Sequence, residues 1–538
     1  MGELSQGGGS TGGFDAAERN SRELSTWHAP SAPMDAMLAF GEKQVLDDRG
    51  RDMMLNNGYV NGAIGVNRDS IVGSQYRLNS MPDLLAIGIK DEDWSEEFQT
   101  LAERRFNLVG ESPRAYFDAA GMNTFTSLVR LAVCIYMYTG EVLATAEWSR
   151  EMKNRPFKTM IQMISPSRLS NPDGMSDSHN LRSGVETDRL GKPTGYWIRD
   201  GEPFDYFNPV TTWKRVEPMT KWGRQMVIHI MEQRTPHQHR GISEMVSVLK
   251  QLKMTSKFQD VVLQQAVLQA SYAASIESEL SREIVAEQMG QGDSATDAAK
   301  SFLAAYAEYA GKRDIELDGV RVPVLFPGTK LQLRQLQQPA GVGSSYEESL
   351  LRHISAGLGM SFEQFSRDYS KTNYSSARAA MNETRKSMAS RKKLVSDRFA
   401  SSVYRLWLEE EFNRGTLPLP KGKDLNWLYS NPMHFDALAA CSWIGASGGQ
   451  IDELKETQSA ILRINAGFST LEQEAANLGR DWRDVAVQRA REVKYLEGLG
   501  VMTSGDITKP NGKQTHDDIK DANNGTKDDE EDSNTNDA

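Results

Sequence analysis

The chain has 538 residues, 62 of them basic and 73 acidic, for a formal net charge of −11. That length suggests about three to five folding units, and the charge balance excludes a wholly basic nucleic-acid binder. Two cysteines, Cys134 and Cys441, with no CxxC spacing exclude a disulfide scaffold and fit a reducing cytosol, while no uncharged apolar run approaches the ~20 residues of a membrane span.

Residues 1–30 are rich in Gly and Ser, lack the apolar region of a secretory signal and read as a flexible arm. Helical patterning then covers Val45–Leu55, Tyr59–Val72 and Asp93–Leu108, with a short strand at Gln75–Asn79. Met122–Tyr138 is apolar enough for a buried helix. Glu141–Trp148, Thr159–Ile164 and Met226–Met231 read as strands, and Gly184–Asp188 with Gly195–Arg199 as a hairpin across a Gly-Lys-Pro turn. These elements make an α+β unit.

The texture changes at Ile242. No Gly or Pro occurs from there to Met289, and a helical stripe predicts one helix over Ile242–Ile276, capped by Ser243 and about 52 Å long. A second uninterrupted stretch, Ser375–Asn413, predicts a helix of about 58 Å. Such lengths need burial, and their small, mixed stripes favour packing against copies of themselves over a two-stranded coil. Between the two long helices lies an insert with an Ala-rich helix, Asp297–Ala310, then short strands. Tyr346–Leu358 is a short helix ended by Gly357 and Gly359, and Met360–Tyr374 reads as an aromatic loop. Helices at Ile451–Ile464, Thr470–Leu478 and Trp482–Leu496 follow. From Gly505 onward 10 acidic residues face 4 basic ones, an acidic tail without a core.

Chemical motifs are sparse. Gly445-Ala-Ser447-Gly-Gly449 matches a nucleophile elbow, but the only downstream histidine is His516 in the acidic tail, and a glycine turn before a helix explains the pentapeptide equally well. His229, His237 and His239 lack the acidic or histidine partner at fixed spacing that a metal site wants. There is no phosphate-binding G-x-x-x-x-G-K-[ST]. A basic run from Arg378 to Arg405, including Arg391, Lys392 and Lys393, reads as a solvated helix face, with ion pairing between subunits or nearness to nucleic acid as the alternatives. The reading is therefore no enzyme, no cofactor and no metal.

Several stretches are familiar as an ordered series: Asn56-Asn-Gly-Tyr, Ile71-Val-Gly, Ile164-Ser-Pro-Ser-Arg-Leu-Ser-Asn171, and Ala270-Ser-Tyr-Ala-Ala-Ser-Ile-Glu-Ser-Glu-Leu280. The most specific is Ser349-Leu-Leu-Arg-His-Ile-Ser-Ala-Gly-Leu-Gly-Met-Ser-Phe-Glu-Gln-Phe-Ser-Arg367, followed by Tyr374-Ser-Ser-Ala-Arg378, Trp443-Ile-Gly445 and Ala466-Gly-Phe-Ser-Thr470. From about residue 35 to 500 the chain resembles the portal proteins of tailed phages, lambda family. The resemblance implies a mainly helical α+β portal fold of wing, stem, clip and crown, assembled as a homododecameric ring around a central DNA tunnel. On this chain it implies a wing at 31–240, a stem helix at 241–276, a clip at 277–343 and a second stem helix at 344–360. A tunnel loop at 361–374, a long helix and wing at 375–450 and wing or crown helices at 451–504 would follow, with the tail at 505–538. Phe362, Phe365, Arg367 and Lys371 would face the DNA, and Glu308, Lys312 and Arg313 of the clip would meet the terminase or neck. The implied partners are double-stranded DNA read without sequence, the terminase large subunit, the major capsid protein and scaffold, and neck or head-completion proteins, with no membrane. The implied setting is the capsid vertex of the virion, assembled in the bacterial cytoplasm.

Overall fold

In a computed structural model the described residues are 38, 41–150, 154–203, 212–272, 315–317, 320–322, 342–448 and 452–499. The chain divides into two units, Met1–Ala446 and Ser447–Ala538. The first opens with α1 (Glu42–Asn56) and α2 (Gly58–Ile71). Asn57 breaks them apart in an extended conformation, and its side chain caps α2 by accepting from the Val60 amide at 3.0 Å. After β1 (Arg77–Ser80), α3 (Glu92–Gly110) starts at Asp91, which caps it the same way. The apolar α4 (Phe125–Thr139) ends on Gly140 at φ 81, where a side-chain carbon would lie 2.1 Å from the Ile242 backbone. Only glycine fits there.

Three strands, β2 (Glu141–Trp148), β3 (Thr159–Ile164) and, later in the chain, Val227–Met231, form an antiparallel sheet with β2 in the centre. A second antiparallel sheet runs in chain order through β4 (Leu181–Arg182), β5 (Val185–Thr187), β6 (Pro193–Arg199) and β7 (Trp213–Val216), so Val227–Met231 is β8. Leu143, Ile164, Val185, Tyr196 and Val227 close a small core between the sheets. The hairpin expected across the Gly-Lys-Pro turn is present as β5 and β6; sequence patterning missed β4 and β7, which are short and half exposed.

The expected single helix at Ile242–Ile276 is two elements. Ser243 caps a 3-10 turn, Glu244–Ser247, the chain leaves helical geometry at Val248, and α5 then runs Leu249–Tyr272. Val248 packs so closely on Gly357 that a side-chain carbon at Gly357 would lie 2.5 Å from it, so only glycine fits at that point of α6. After the small hairpin β9 (Ile315–Leu317) and β10 (Val320–Val322), α6 (Val342–Gly357) returns antiparallel to α5. Phe258 meets Tyr346 edge-on at 6.1 Å, and Gln259 donates to Glu347 at 2.5 Å. Beyond Thr255 no described side chain of α5 is buried; Met254, Val261, Leu263 and Val267 are 47–65% exposed.

The aromatic segment 361–374 contains a helical turn, α7 (Phe362–Ser366), rather than a plain loop. The second long helix is α8 (Tyr374–Arg391), a π-helical segment Lys392–Asp397, and α9 (Arg398–Asn413). α10 (Leu425–Ser430) and α11 (Pro432–Leu438) lead to β11 (Cys441–Ile444), which pairs antiparallel with β1, Arg77 opposite Ile444. The main core closes around Phe106, whose ring meets those of Phe117, Phe125, Tyr404, Trp407 and Trp443 at centroid distances of 4.9–5.7 Å. The second unit consists of α12 (Glu453–Asn465), α13 (Leu471–Asn477) and α14 (Trp482–Gly498), close to the expected spans.

Candidate functional site

The chain reverses between α6 and α8. Gly359 takes the left-handed conformation at φ 65, the Met360 amide donates back to the Ser355 carbonyl at 3.0 Å, and Ser361 caps α7. Two rings of α7 turn inward. Phe365 is 2% exposed and stacks on Tyr59 at 5.6 Å; Phe362 packs half-buried against the core under the Arg352 guanidinium, 5.2 Å away. The expectation that Phe365 faces DNA is therefore overturned: its ring belongs to the core, because α7 winds it toward α2 instead of leaving it on a loop.

The charges of the reversal point outward. Arg367 is exposed, in a left-handed conformation at φ 61 that ends α7. Lys371 is exposed but ion-paired at 2.9 Å with Glu348 of α6, which also holds Arg352 at 2.7 Å. The hydrogen bond from Lys371 holds the Glu348 carboxyl below its usual range, and Ser370 does the same for Asp368. Asn373 and Ser376 then exchange side-chain and backbone hydrogen bonds in a capping box that starts α8. Glu308, Lys312 and Arg313 lie outside the described residues.

Sequence reasoning placed Arg391 and Lys392 on a solvated face, and the structure corrects this. Arg391 is 6% exposed. Its guanidinium donates to Asn67 of α2 at 2.9 Å, to the Leu358 carbonyl after α6 at 2.7 Å, and to Glu244 ahead of α5. One side chain thus ties together the ends of α5 and α6, α2 and the long helix. Next to it, Lys392 bonds Asp397 at 2.8 Å and the Trp443 carbonyl at 2.9 Å, over the Tyr76 ring. The buried Tyr76 hydroxyl also donates to Asp397; burial and then that carboxylate push the phenol well above its ordinary pKa.

A second buried charge cluster roots the start of the α5 segment. Glu141 on β2 is fully buried and meets Arg240 at 2.8 Å, His229 at 3.1 Å and Lys43 at 3.3 Å, and accepts from the Gly241 amide at 2.8 Å. Burial alone would raise its carboxyl pKa, but Arg240, Lys43 and His229 hold it well below the usual range. Arg240 spends its remaining donors on the Leu169, Ser183 and Pro166 carbonyls. The neighbouring cavity, about 610 Å³, therefore meets a floor whose cationic donors are already paired within the fold. His229, one of the three histidines weighed for a metal, is occupied here, and among the described residues no group of three or more His, Cys, Asp or Glu side chains is arranged to hold a metal. β11 stops at Ile444 and α12 begins only at Glu453, so Ser447 does not sit on a sharp strand-to-helix turn.

The family model for phage portal proteins of the lambda family matches residues 20–392. The portal protein of Escherichia phage N15 is 35% identical over 497 residues, 92% of this chain and 90% of that one. Portal protein B of Escherichia phage lambda is 34% identical over 482 residues, 89% of each. The chain belongs to the lambda family of phage portal proteins. A solved chain from the neck of an empty GTA particle covers 82% of it at 13% identity, with a TM-score of 0.37. In this portal-family chain the matched range includes the reversal and Arg391, and it ends at Lys392, the first residue of the π segment. No helix among the described residues is long and apolar enough to cross a membrane. The burial of Arg391 was missed because its sequence neighbours are basic; the signal for it was that it shares a helical stripe with Thr384 and Met388, both buried.

Proposed function

We propose that this chain is the subunit of a ring of about twelve copies at one capsid vertex, the portal through which a terminase pumps double-stranded DNA and through which the genome later leaves. The observation that carries the reading is the helical pair α5–α6, which within one subunit leaves Met254, Val261, Leu263 and Tyr346 exposed although the helices hold together. A heterologous ring supplies each such face with a neighbour. In this reading α5 and α6 are the stem, the reversal at 361–374 lies toward the axis, and residues 277–343 form the clip. The clip, with Glu308, Lys312 and Arg313, meets the terminase large subunit and later the neck proteins, and the major capsid protein and scaffold surround the ring. The chain acts as a conduit and not as an enzyme.

The charge pattern of the reversal supports passage rather than capture. Within 361–374 the cations Arg367 and Lys371 are matched by Glu363 and Asp368, and Lys371 is further paired with Glu348, which it shares with Arg352. Affinity for phosphates grows with the number neutralised, so a sparse ring of cations touches the backbone without holding it. Native mass and particle symmetry of the purified chain test the assembly. A closed ring is expected without nucleic acid, and a stable monomer at micromolar concentration defeats the reading.

A further inference from the structure

The cavity of about 610 Å³ lies where the described chain begins, and its walls carry polar groups that the fold leaves unused. Asp177 accepts through Oδ1 from the Asn171 side chain and the Ser183 amide, both at 2.8 Å, while its Oδ2 is buried without a hydrogen-bond partner. Withdrawing a carboxylate oxygen from water without giving it a donor costs the fold free energy. Arg182, half-buried on β4 in the same wall, has no ion pair and no side-chain hydrogen bond among the described residues. The floor can answer neither group, because Lys43 and Arg240 are already taken up by Asp47, Glu141 and backbone carbonyls. At the rim Met175 is 56% exposed. The cavity therefore offers an unmet acceptor, an unmet cation and a patch of apolar wall.

Leu38 forms part of the wall, is 5% exposed and is the first described residue. Gly41, also in the wall, takes φ 84 and turns the chain into α1. The chain ahead of Leu38 therefore joins the fold at the cavity itself, and the match to the portal family takes in residues 20–37 of it as well. The seven nearest residues, Ser31-Ala-Pro-Met-Asp-Ala-Met37, hold one charge, Asp35, with Pro33 and Met34 beside it. Three extended residues span about 10 Å, and a sphere of the cavity's volume is about 10 Å across. A carboxylate three residues ahead of Leu38 is thus within reach of another wall. We propose that the cavity is the seat of the chain's own segment 31–37: Asp35 pairs with Arg182, a donor of the segment satisfies Asp177 Oδ2, and Pro33 with Met34 covers Met175. A tie only three residues long keeps the pairing within one subunit. Residues 1–30 then start from a fixed point beside the root of the α5 segment. The arrangement belongs to the single subunit and does not rest on the ring.

The test uses the full-length chain in its native assembly, with Cys134 and Cys441 replaced by Ser and a reporter thiol introduced as Ser176→Cys, a position that lines the cavity. A seated segment shields that thiol from a maleimide. Asp35→Arg sets a cation against Arg182 and should accelerate labelling about tenfold, the effect of losing one partly buried charge-assisted contact. Arg182→Asp should do the same. Combining the two restores the pair with its signs exchanged and should bring the rate back toward that of the parent. Equal labelling in all four proteins, or a double variant as fast as the single ones, overturns the proposal. Acceleration by Arg182→Asp but not by Asp35→Arg gives the cavity to a different occupant, a small molecule or another protein, and overturns it as well. A second readout decides whose segment it is. With Asp35→Cys and Arg182→Cys on the same chain and Ser176 retained, a short bis-maleimide should link the two thiols within one chain. Linked dimers would assign the seat to the arm of a neighbouring copy and overturn the pairing within one subunit.

Discussion

The neighbourhood of Phe106 and the C-terminal unit hold their helices by opposite means. Phe106 of α3 sits among five aromatic rings drawn from α4, α9, β11 and the segment before α4, three of them some 300 residues or more further along the chain. Among the described residues, α12, α13 and α14 have no buried side chain at all. What holds them is local. Asp452, Thr470 and Asp481 cap the three helices, and Arg463 grips Glu474 through two 2.9 Å bonds that hold the Glu474 carboxyl down at about 2. The outer half of α5 resembles the second case. A helix of this length is marginal alone, and on the ring reading proposed above the exposed Leu462, Phe468 and Tyr495, like Leu263 on α5, belong to faces that a neighbouring copy would complete.

The sharpest way to break that comparison is to charge an exposed face. Leu263→Asp combined with Val267→Asp should leave the main thermal transition within about 0.5 kcal/mol of wild type, because neither side chain has core contacts to lose. The same variant should lose the ring altogether in native mass measurements. An intact ring would show that this face of α5 is solvent in the assembly too.

Charging a surface should spare the fold, whereas uncovering a buried charge should damage it. Glu141→Ala leaves Arg240 and Lys43 buried without their shared carboxylate, an effect of about 3–5 kcal/mol on unfolding. Combining it with Arg240→Met should recover part of the loss, since the uncompensated cation goes too. Chemical denaturation of the two variants gives the comparison directly; a double variant no more stable than the single one would mean that the carbonyl contacts of Arg240 matter more than its charge.

Local and long-range order also differ in how legible they are. The C-terminal helices could be placed from caps and periodicity, since Thr470 and Gln473 lie three residues apart and bond within their own turn. The pairing of β1 with β11 joins positions some 360 residues apart, and nothing in Cys441–Ile444 announces it. The hidden residues of the site follow the same rule. Arg391 was legible as a cation but not as a buried one, because Asn67, Leu358 and Glu244 come from three separate stretches. Phe365 was legible as an aromatic but not as core, because its partner Tyr59 is about 300 residues upstream.

The smallest expected effect separates burial from pairing inside the Glu141 cluster. Asp47 bonds Lys43 at 2.6 Å, yet its pKa is raised to about 6: burial raises it, the Lys43 attraction opposes this, and Glu141 nearby adds to the rise. A carboxyl with a raised folded pKa binds its proton more tightly in the folded chain than in the unfolded one, where the value is 3.8. Stability from this group is therefore greatest below pH about 4 and falls as the pH rises toward about 6, by on the order of 2 kcal/mol. Glu141 has the opposite sign, since its depressed pKa gives stability that is lost only as the pH falls below the unfolded value of 4.5. Asp47→Asn cannot ionise, so it lacks the Asp47 contribution and keeps that of Glu141. Melting both proteins across pH 4 to 7 isolates the difference: the variant should gain on wild type between pH 4 and 6 and then run parallel. A constant offset over that range would mean that Asp47 is held by Lys43 strongly enough to cancel its burial, and that this cluster is paired as completely as the exposed Arg463–Glu474 clasp.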